Sequence, residues 1–140
     1  MTVAAYKDGI LACDSMVVQG DVVVGEIRKL IAVPETAGGG WMVGAGPTAK
    51  VNQFIAKAIA GADPMPSDEE INVLWVRPGG AVFAVEADSI FEMVGPFHAI
   101  GSGMHVALGA MAAGATAVEA VQAACKICIS CGGEVQWVSI

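Results

Sequence analysis

Two short apolar runs, Val3–Tyr6 and Ile10–Cys13, flank the dipeptide Asp8-Gly9. An Asp-Gly pair between such runs predicts a two-residue hairpin turn, because both positions must take positive φ and these residues do so at low cost. The N-terminus is therefore expected to open an antiparallel sheet. The next segments extend it. Val17-Val18 and Val22-Val23-Val24 are β-branched runs separated by a second turn, Gln19-Gly20-Asp21, and Ile27, Leu30, Ile31 and Val33 carry strand character up to Pro34. Thr36-Ala37-Gly38-Gly39-Gly40 reads as a loop, and Trp41–Val43 as another short strand.

The period then changes. Val51, Phe54, Ile55, Ala58 and Ile59 recur at helical spacing, which predicts a helix over Ala49–Ala60 with Thr48 as its cap and Gly61 as its stop. A polar loop from Ala62 to Glu70 follows, in which Ser67-Asp68-Glu69-Glu70 reads as solvated. Asn72–Val76, Ala81–Val85 and Ile90–Val94 are expected strands, the first two joined across Pro78-Gly79-Gly80. The last third is helical. One helix is expected over Met104–Ala113, with Met104, Ala107, Leu108 and Met111 on one face and Gly114 as its stop. A second is expected over Ala117–Ile127, opened by a Thr116-x-x-Glu119 capping box, before a final strand from Val135 to Ile140. Strands, helix, strands, helix pair and strand in that order fit an α+β fold of two stacked antiparallel sheets with helices outside. Residues 1–140 contain no repeat or linker and read as one domain.

Composition narrows the function. A net charge of −7 with only 7 Lys and Arg does not suit phosphate-backbone recognition, so no nucleic-acid partner is expected. The chain is 55% hydrophobic, but much of that is Ala and Val, which suit tight packing between layers and between subunits. The uncharged stretch Ala99–Val118 is interrupted by Ser102, His105 and Thr116, so no membrane span is expected. The first residues lack a basic segment followed by a long apolar run, which points to the cytoplasm and to thiols rather than disulfides for the 4 cysteines. Gly38-Gly39-Gly40 lacks the lysine of a phosphate loop.

Three residues carry candidate chemistry. Thr2 stands behind Met1, and removal of that methionine would leave a threonine bearing both a hydroxyl and a free α-amine, with the amine available as general base. Asp14 follows the second predicted strand in Ala12-Cys13-Asp14-Ser15. Lys29 lies in Gly25-Glu26-Ile27-Arg28-Lys29-Leu30. A lysine beside the nucleophile would favour its reactive, deprotonated form, and a carboxylate would orient the lysine. Taken singly, each has an ordinary explanation: a common N-terminal pair, a turn former and a solvated lysine.

Together, Thr2, Asp14-Ser15 and Gly25-x-x-x-Lys29 resemble the proteasome β-type N-terminal-nucleophile hydrolases, in particular the bacterial proteasome-like peptidase subunit of two-component ATP-dependent proteases. Three further segments agree. Gly44-Ala45-Gly46-Pro47-Thr48-Ala49 is similar to the family's glycine turn, Ala99-Ile100-Gly101-Ser102-Gly103 to its Ile-Gly-Ser-Gly segment, and Lys126-Ile127-Cys128-Ile129-Ser130-Cys131 to its Ile-Cys-Ile segment. The resemblance implies a four-layer αββα sandwich, a threonine peptidase working in a self-compartmentalising homo-oligomeric ring, and an ATP-dependent unfoldase as a partner. Its substrates would be peptides or unfolded proteins. It assigns Thr2 as nucleophile, Asp14 and Lys29 as the groups that tune it, Gly46 N–H as oxyanion donor and Ser102 as a support of the amine. No cofactor is required. Backbone carbonyls around Cys125, Cys128 and Cys131 could hold a monovalent or divalent cation.

The chain also departs from the family. It is short, with one helical layer reduced because a loop stands between Gly61 and Asn72 where the family has a second long helix. Pro47 follows the oxyanion glycine, and Lys50 replaces a common acidic residue. Cys128-x-x-Cys131-Gly132-Gly133 stands where many members have Asp-x-x-Ser-Gly-Gly. A catalytically silent member serving as a structural or assembly component of a larger particle, such as a virion, is the alternative. The Cys125-x-x-Cys128-x-x-Cys131 spacing also suits three thiolate ligands to a metal, but no fourth ligand is near in sequence, and packed thiols are the plainer reading. His98 and His105 read as structural or surface residues, and Trp41, Trp75 and Trp137 as core or interface aromatics.

Overall fold

Asp8 (φ 51°) and Gly9 (φ 79°) take the positive dihedrals that the opening turn demands. They join β1 (Val3–Lys7) to β2 (Ile10–Cys13). The structure is a computed structural model that describes residues 2–61, 71–86 and 89–140. β3 (Met16–Gln19) and β4 (Val22–Glu26) form a separate two-stranded hairpin with a register shift between Val17 and Val18. The strand character expected from Ile27 to Val33 condenses to β5 (Ile31–Ala32), because the backbone just before it bonds to a side chain rather than to a strand. A 3-10 turn, Glu35–Ala37, occupies part of the expected loop before β6 (Trp41–Ala45).

Helix α1 spans Thr48–Ile59. Thr48 is its first helical residue and not its cap: Val51 N–H bonds to Pro47 C=O at 3.0 Å, which starts the helix one residue earlier, and Pro47 holds the cap position at φ −57°. Strands β7 (Asn72–Val76), β8 (Val82–Glu86) and β9 (Ser89–Met93) follow. The expected loop Ala62–Glu70, with Ser67-Asp68-Glu69-Glu70, lies outside the described residues. β10 (Phe97–Gly101) has no counterpart in the expectations drawn from the sequence. Its His98 is buried on one face while Phe97 and Ala99 pack into the core from the other, so it shows no polar–apolar alternation. Helices α2 (Met104–Ala112) and α3 (Ala117–Ile127) and strand β11 (Gln136–Ser139) complete the chain.

The strands form two antiparallel sheets, β10-β1-β2-β11 and β5-β6-β7-β8-β9, beside the β3–β4 hairpin. Side chains alternate between faces along a strand, and this sorts the core into three layers. Val3, Ala5 and Ala12 face α2 and α3, where they meet Ala107, Met111, Ala120, Val121 and Ala124. Ala4, Leu11 and Cys13 face the second sheet, where they meet Val43, Leu74, Val76 and Val82. Met42, Val73 and Val85 turn outward to Val51, Phe54, Ile55 and Ala58 of α1. The order is therefore helices, sheet, sheet, helix, the two stacked antiparallel sheets expected from the sequence. Among the described residues, α1 alone covers the second sheet.

Local chemistry ties the helices down. Thr116 N–H donates to Glu119 Oε1 at 3.0 Å and Glu119 N–H to Thr116 Oγ1 at 3.1 Å, completing the expected capping box. Lys7, at the end of β1, donates to the carbonyls of Met111 (3.2 Å) and Ala115 (2.9 Å), so a cation sits at the C-terminal end of α2, where the helix dipole favours it. A Cβ on Gly44 would collide with Val51, which is how closely α1 lies on β6.

Candidate active site

Strand register delivers the three candidates to one place. In the β1–β2 hairpin Ala4 pairs with Cys13, so Val3 and Asp14 come next to each other; Asp14 N–H bonds to Val3 C=O at 3.1 Å. Thr2 immediately precedes β1. On its other side Val3 pairs with Gly101 of β10, and Gly103 N–H donates to Thr2 C=O at 3.3 Å. Gly101 has φ 93°, and a Cβ there would collide with the Thr2 carbonyl. Lys29 returns to the same point after the β3–β4 hairpin, whose exit is held by Ile27 N–H to Ser15 C=O at 2.9 Å.

Lys29 Nζ lies 3.2 Å from Thr2 Oγ1 and 2.9 Å from Asp14 Oδ1. Thr2 is 4% exposed, Lys29 8% and Asp14 not at all. Such a pair is costly to bury unless further hydrogen bonds complete it. Asp14 has them: Val3 N–H donates to Oδ1 at 3.2 Å and Gly132 N–H to Oδ2 at 3.1 Å. The carboxylate thus fixes the lysine, and the lysine ammonium faces the threonine hydroxyl. Ser102 Oγ donates to Thr2 C=O at 3.3 Å and lies 3.1 Å from Ser130 Oγ and 3.5 Å from Cys131 Sγ.

Thr2 and Lys29 open onto a cleft of about 100 Å³, bounded by the β3–β4 hairpin on one side and the β6–α1 turn on the other. Gly46 lines it at φ 132°, a conformation that side chains rarely adopt. All five candidate residues of the resemblance therefore lie around one point: Thr2, Asp14 and Lys29 in direct contact, Ser102 on the Thr2 backbone, and Gly46 across the cleft.

Two supports were not legible in the sequence. Gln136 of β11 accepts from Lys29 N–H at 2.9 Å and donates to Ile27 C=O at 2.7 Å. Gly132 presents its N–H to Asp14, and its carbonyl accepts from Ser15 and Met16 N–H at 3.1 Å each. Neither residue type signals chemistry; a Gln and a Gly far down the chain are found only by their position in space. Beside them, Ser15 Oγ (2.6 Å) and Glu134 N–H (2.7 Å) donate to Glu26 Oε1. The Ser15 hydroxyl, and then the Glu134 amide, hold the Glu26 carboxyl below its ordinary value of 4.5. A depressed folded value means these contacts stabilise the fold above about pH 4.5 and stop doing so as pH falls through the folded value. We expect the urea midpoint to drop on acidification below that pH, and Glu26→Gln to flatten part of the drop.

The cysteines lie at the helix end. Cys125 is on α3, Cys128 is its C-cap, and Cys131 N–H bonds to Cys128 C=O at 3.2 Å in the turn that follows. All three pack into or against the core under the first sheet. Burial pushes the Cys125 thiol up to about 11 and the Cys13 thiol, with Asp14 adding to the effect, up to about 12. Both are therefore protonated at neutral pH and poor nucleophiles or thiolate ligands. Among the described residues no three His, Cys, Asp or Glu side chains gather as metal ligands. His98 is buried on β10, where loss of hydration lowers its pKa, and His105 is exposed on α2.

A layered α+β fold with a buried Thr–Lys–Asp cluster at the end of its first hairpin is the class of molecule that these observations define. No family model matches the chain, and no curated protein matches it. Among solved structures, Thiobacillus denitrificans BPH in complex with epoxomicin has the same fold, with a TM-score of 0.77 and 21% identity over 99% of this chain and 97% of that one. A second structure of Thiobacillus denitrificans BPH gives 0.76 and 20% over 99% and 96%. At this level of identity the likeness is one of fold.

Proposed function

We propose that the chain is a threonine-type endopeptidase that uses Thr2 as an N-terminal nucleophile after removal of Met1. The observation that carries this reading is the contact of Lys29 Nζ with both Thr2 Oγ1 and Asp14 Oδ1 in a buried cluster beside an open cleft. A lysine stabilised by a buried carboxylate has little need of a threonine hydroxyl for stability, whereas a nucleophile needs the nearby positive charge.

In the proposed reaction the Thr2 hydroxyl attacks a peptide carbonyl held in the cleft, and its proton passes to the Thr2 α-amine. The Lys29 ammonium, held by Asp14, lowers the cost of the developing alkoxide. Gly46 N–H takes the oxyanion. The α-amine then returns the proton to the leaving amine, which leaves an ester on Thr2. Water, deprotonated by the same amine, cleaves that ester and restores the hydroxyl. Ser102 keeps the Thr2 backbone in register for both steps. No step needs a cofactor. The carbonyls near Cys125, Cys128 and Cys131 make an incomplete cation site, since that of Cys128 already accepts from Cys131 N–H, and no step is routed through one.

The proposed setting is a cytoplasmic homo-oligomeric ring fed by an unfoldase. Val22, Val23 and Val24 on the β3–β4 hairpin are 62%, 59% and 52% exposed, and Val94 and Ile129 are 91% and 98% exposed, apolar surface that a ring of copies would cover. Among the described residues no helix is long and apolar enough to cross a membrane.

The test is covalent. Protein with Met1 removal verified by mass is incubated with epoxomicin, the compound bound in the BPH structure, or with another electrophile that engages both hydroxyl and amine. We expect one adduct per chain on Thr2, cleavage of short unstructured peptides, and an oligomer by light scattering. A processed oligomer that takes no adduct and cleaves nothing would favour the structural role in a larger particle.

A further inference from the structure

We propose that Gln136 is a positioning residue that holds the Lys29 segment in its catalytic register. This rests on the peptidase reading of the site. The 27–30 segment carries the lysine and one wall of the cleft, yet it belongs to no strand. What holds it is one side chain. Gln136 Oε1 accepts from Lys29 N–H at 2.9 Å and lies 3.4 Å from Leu30 N, while Gln136 Nε2 donates to Ile27 C=O at 2.7 Å. The primary amide therefore bonds on both sides of Arg28, as the peptide group of a neighbouring strand would.

Gln136 is itself well anchored. It pairs with Cys13 in the β2–β11 ladder, and the Cys13 thiol lies 3.7 Å from its Oε1. Cys13 immediately precedes Asp14. One rigid ladder thus fixes the carboxylate through the chain and the lysine backbone through Gln136, so both ends of the ion pair are set by the same element. The Lys29 side chain has four rotatable methylene bonds and cannot hold its ammonium against Thr2 Oγ1 unless its backbone is fixed. Of the two halves of the amide, the acceptor holds the lysine backbone directly, and the donor stops the segment from rotating about that contact.

Gln136→Met keeps the length of the side chain and removes the amide. Gln136→Glu keeps the acceptor, and regains a donor only when the carboxyl is protonated. In the Met1-processed oligomer, hydrogen exchange at the Lys29 and Leu30 amides is expected to quicken by about tenfold or more in Gln136→Met, with the β1–β2 ladder amides unchanged. Its kcat on a short peptide is expected to fall by about 10²-fold, the size of effect that a displacement of about 1 Å produces, with KM nearly unchanged. A small electrophile that does not fill the cleft should modify Thr2 more slowly by a similar factor. For Gln136→Glu, the ratio of its kcat to that of wild type should rise as pH falls. Unchanged amide exchange in Gln136→Met overturns the proposal. So does quickened exchange with wild-type kcat, or a defect confined to KM. If processed wild type neither cleaves peptides nor modifies Thr2, the peptidase reading fails and takes the catalytic half of this proposal with it. Exchange at Lys29 still decides whether Gln136 holds the segment.

Discussion

Lys29→Met is expected to silence the protein and to destabilise it by about 3–5 kcal/mol, the usual consequence of stranding one member of a buried ion pair. Asp14 is completely buried, and loss of Lys29 leaves its charge with two backbone amides and no cation. Stability and activity can then be separated. The double variant Lys29→Met with Asp14→Asn removes the stranded charge and keeps an acceptor for Val3 N–H, so much of the lost stability should return. Peptide hydrolysis should not return, because no ammonium then faces Thr2 Oγ1. Urea unfolding and a peptide assay on the three proteins check this. A Lys29→Met protein as stable and as active as wild type would remove the ion pair from both roles.

Thr2→Ala is expected to have the larger effect on rate and the smaller one on fold. Removing the nucleophile should cost about 10⁴-fold or more in kcat, since no neighbouring group can replace it and the supporting groups act as a unit with it. The stability change should not exceed about 2 kcal/mol, because the hydroxyl makes one bond to Lys29 and Asp14 still satisfies the ammonium. Thr2→Ser keeps hydroxyl and amine and should retain measurable activity. Electrophile labelling followed by intact mass should give no adduct on the alanine variant. An alanine variant that still hydrolyses peptides at the wild-type rate would mean that the nucleophile lies elsewhere.

These two experiments use residues that were visible in the sequence, and they were visible for different reasons. Asp8-Gly9 dictated its turn through backbone dihedrals alone, so β1 and β2 fall where they were expected. The Thr116 capping box and the apolar spacing of α3 are equally local, and the observed bounds, Ala117–Ile127, match the expected ones. The site residues were legible through their order along the chain and the resemblance it carried. Alone, an aspartate after a strand and a lysine before one are unremarkable in any sequence.

What could not be read has a physical cause in each case. Strand β10 is buried on both faces, so it lacks the alternation by which a half-exposed strand announces itself, and Gly95-Pro96 before it suggests a loop. The segment 27–30 looks like a strand by composition but has no strand beside it; Gln136, whose bond to Lys29 spans 107 residues of sequence, takes that place. Thr48 looks like a helix cap, but Pro47 already supplies the first carbonyl.

The amino-acid sequence by itself determined the elements whose cause is local, namely turns, caps and helix faces, together with the candidate chemistry of Thr2, Asp14 and Lys29. Only the tertiary structure decided that Lys29 reaches Thr2 and Asp14 at hydrogen-bond distance, and that Gly132 and Gln136 hold the pair in place. The reason is the range of the forces. Dihedral preference and capping act over a few residues and leave their mark on neighbours in the chain. A buried ion pair is stable only where register, burial and distant backbone donors coincide, and that coincidence exists only once the sheets have closed.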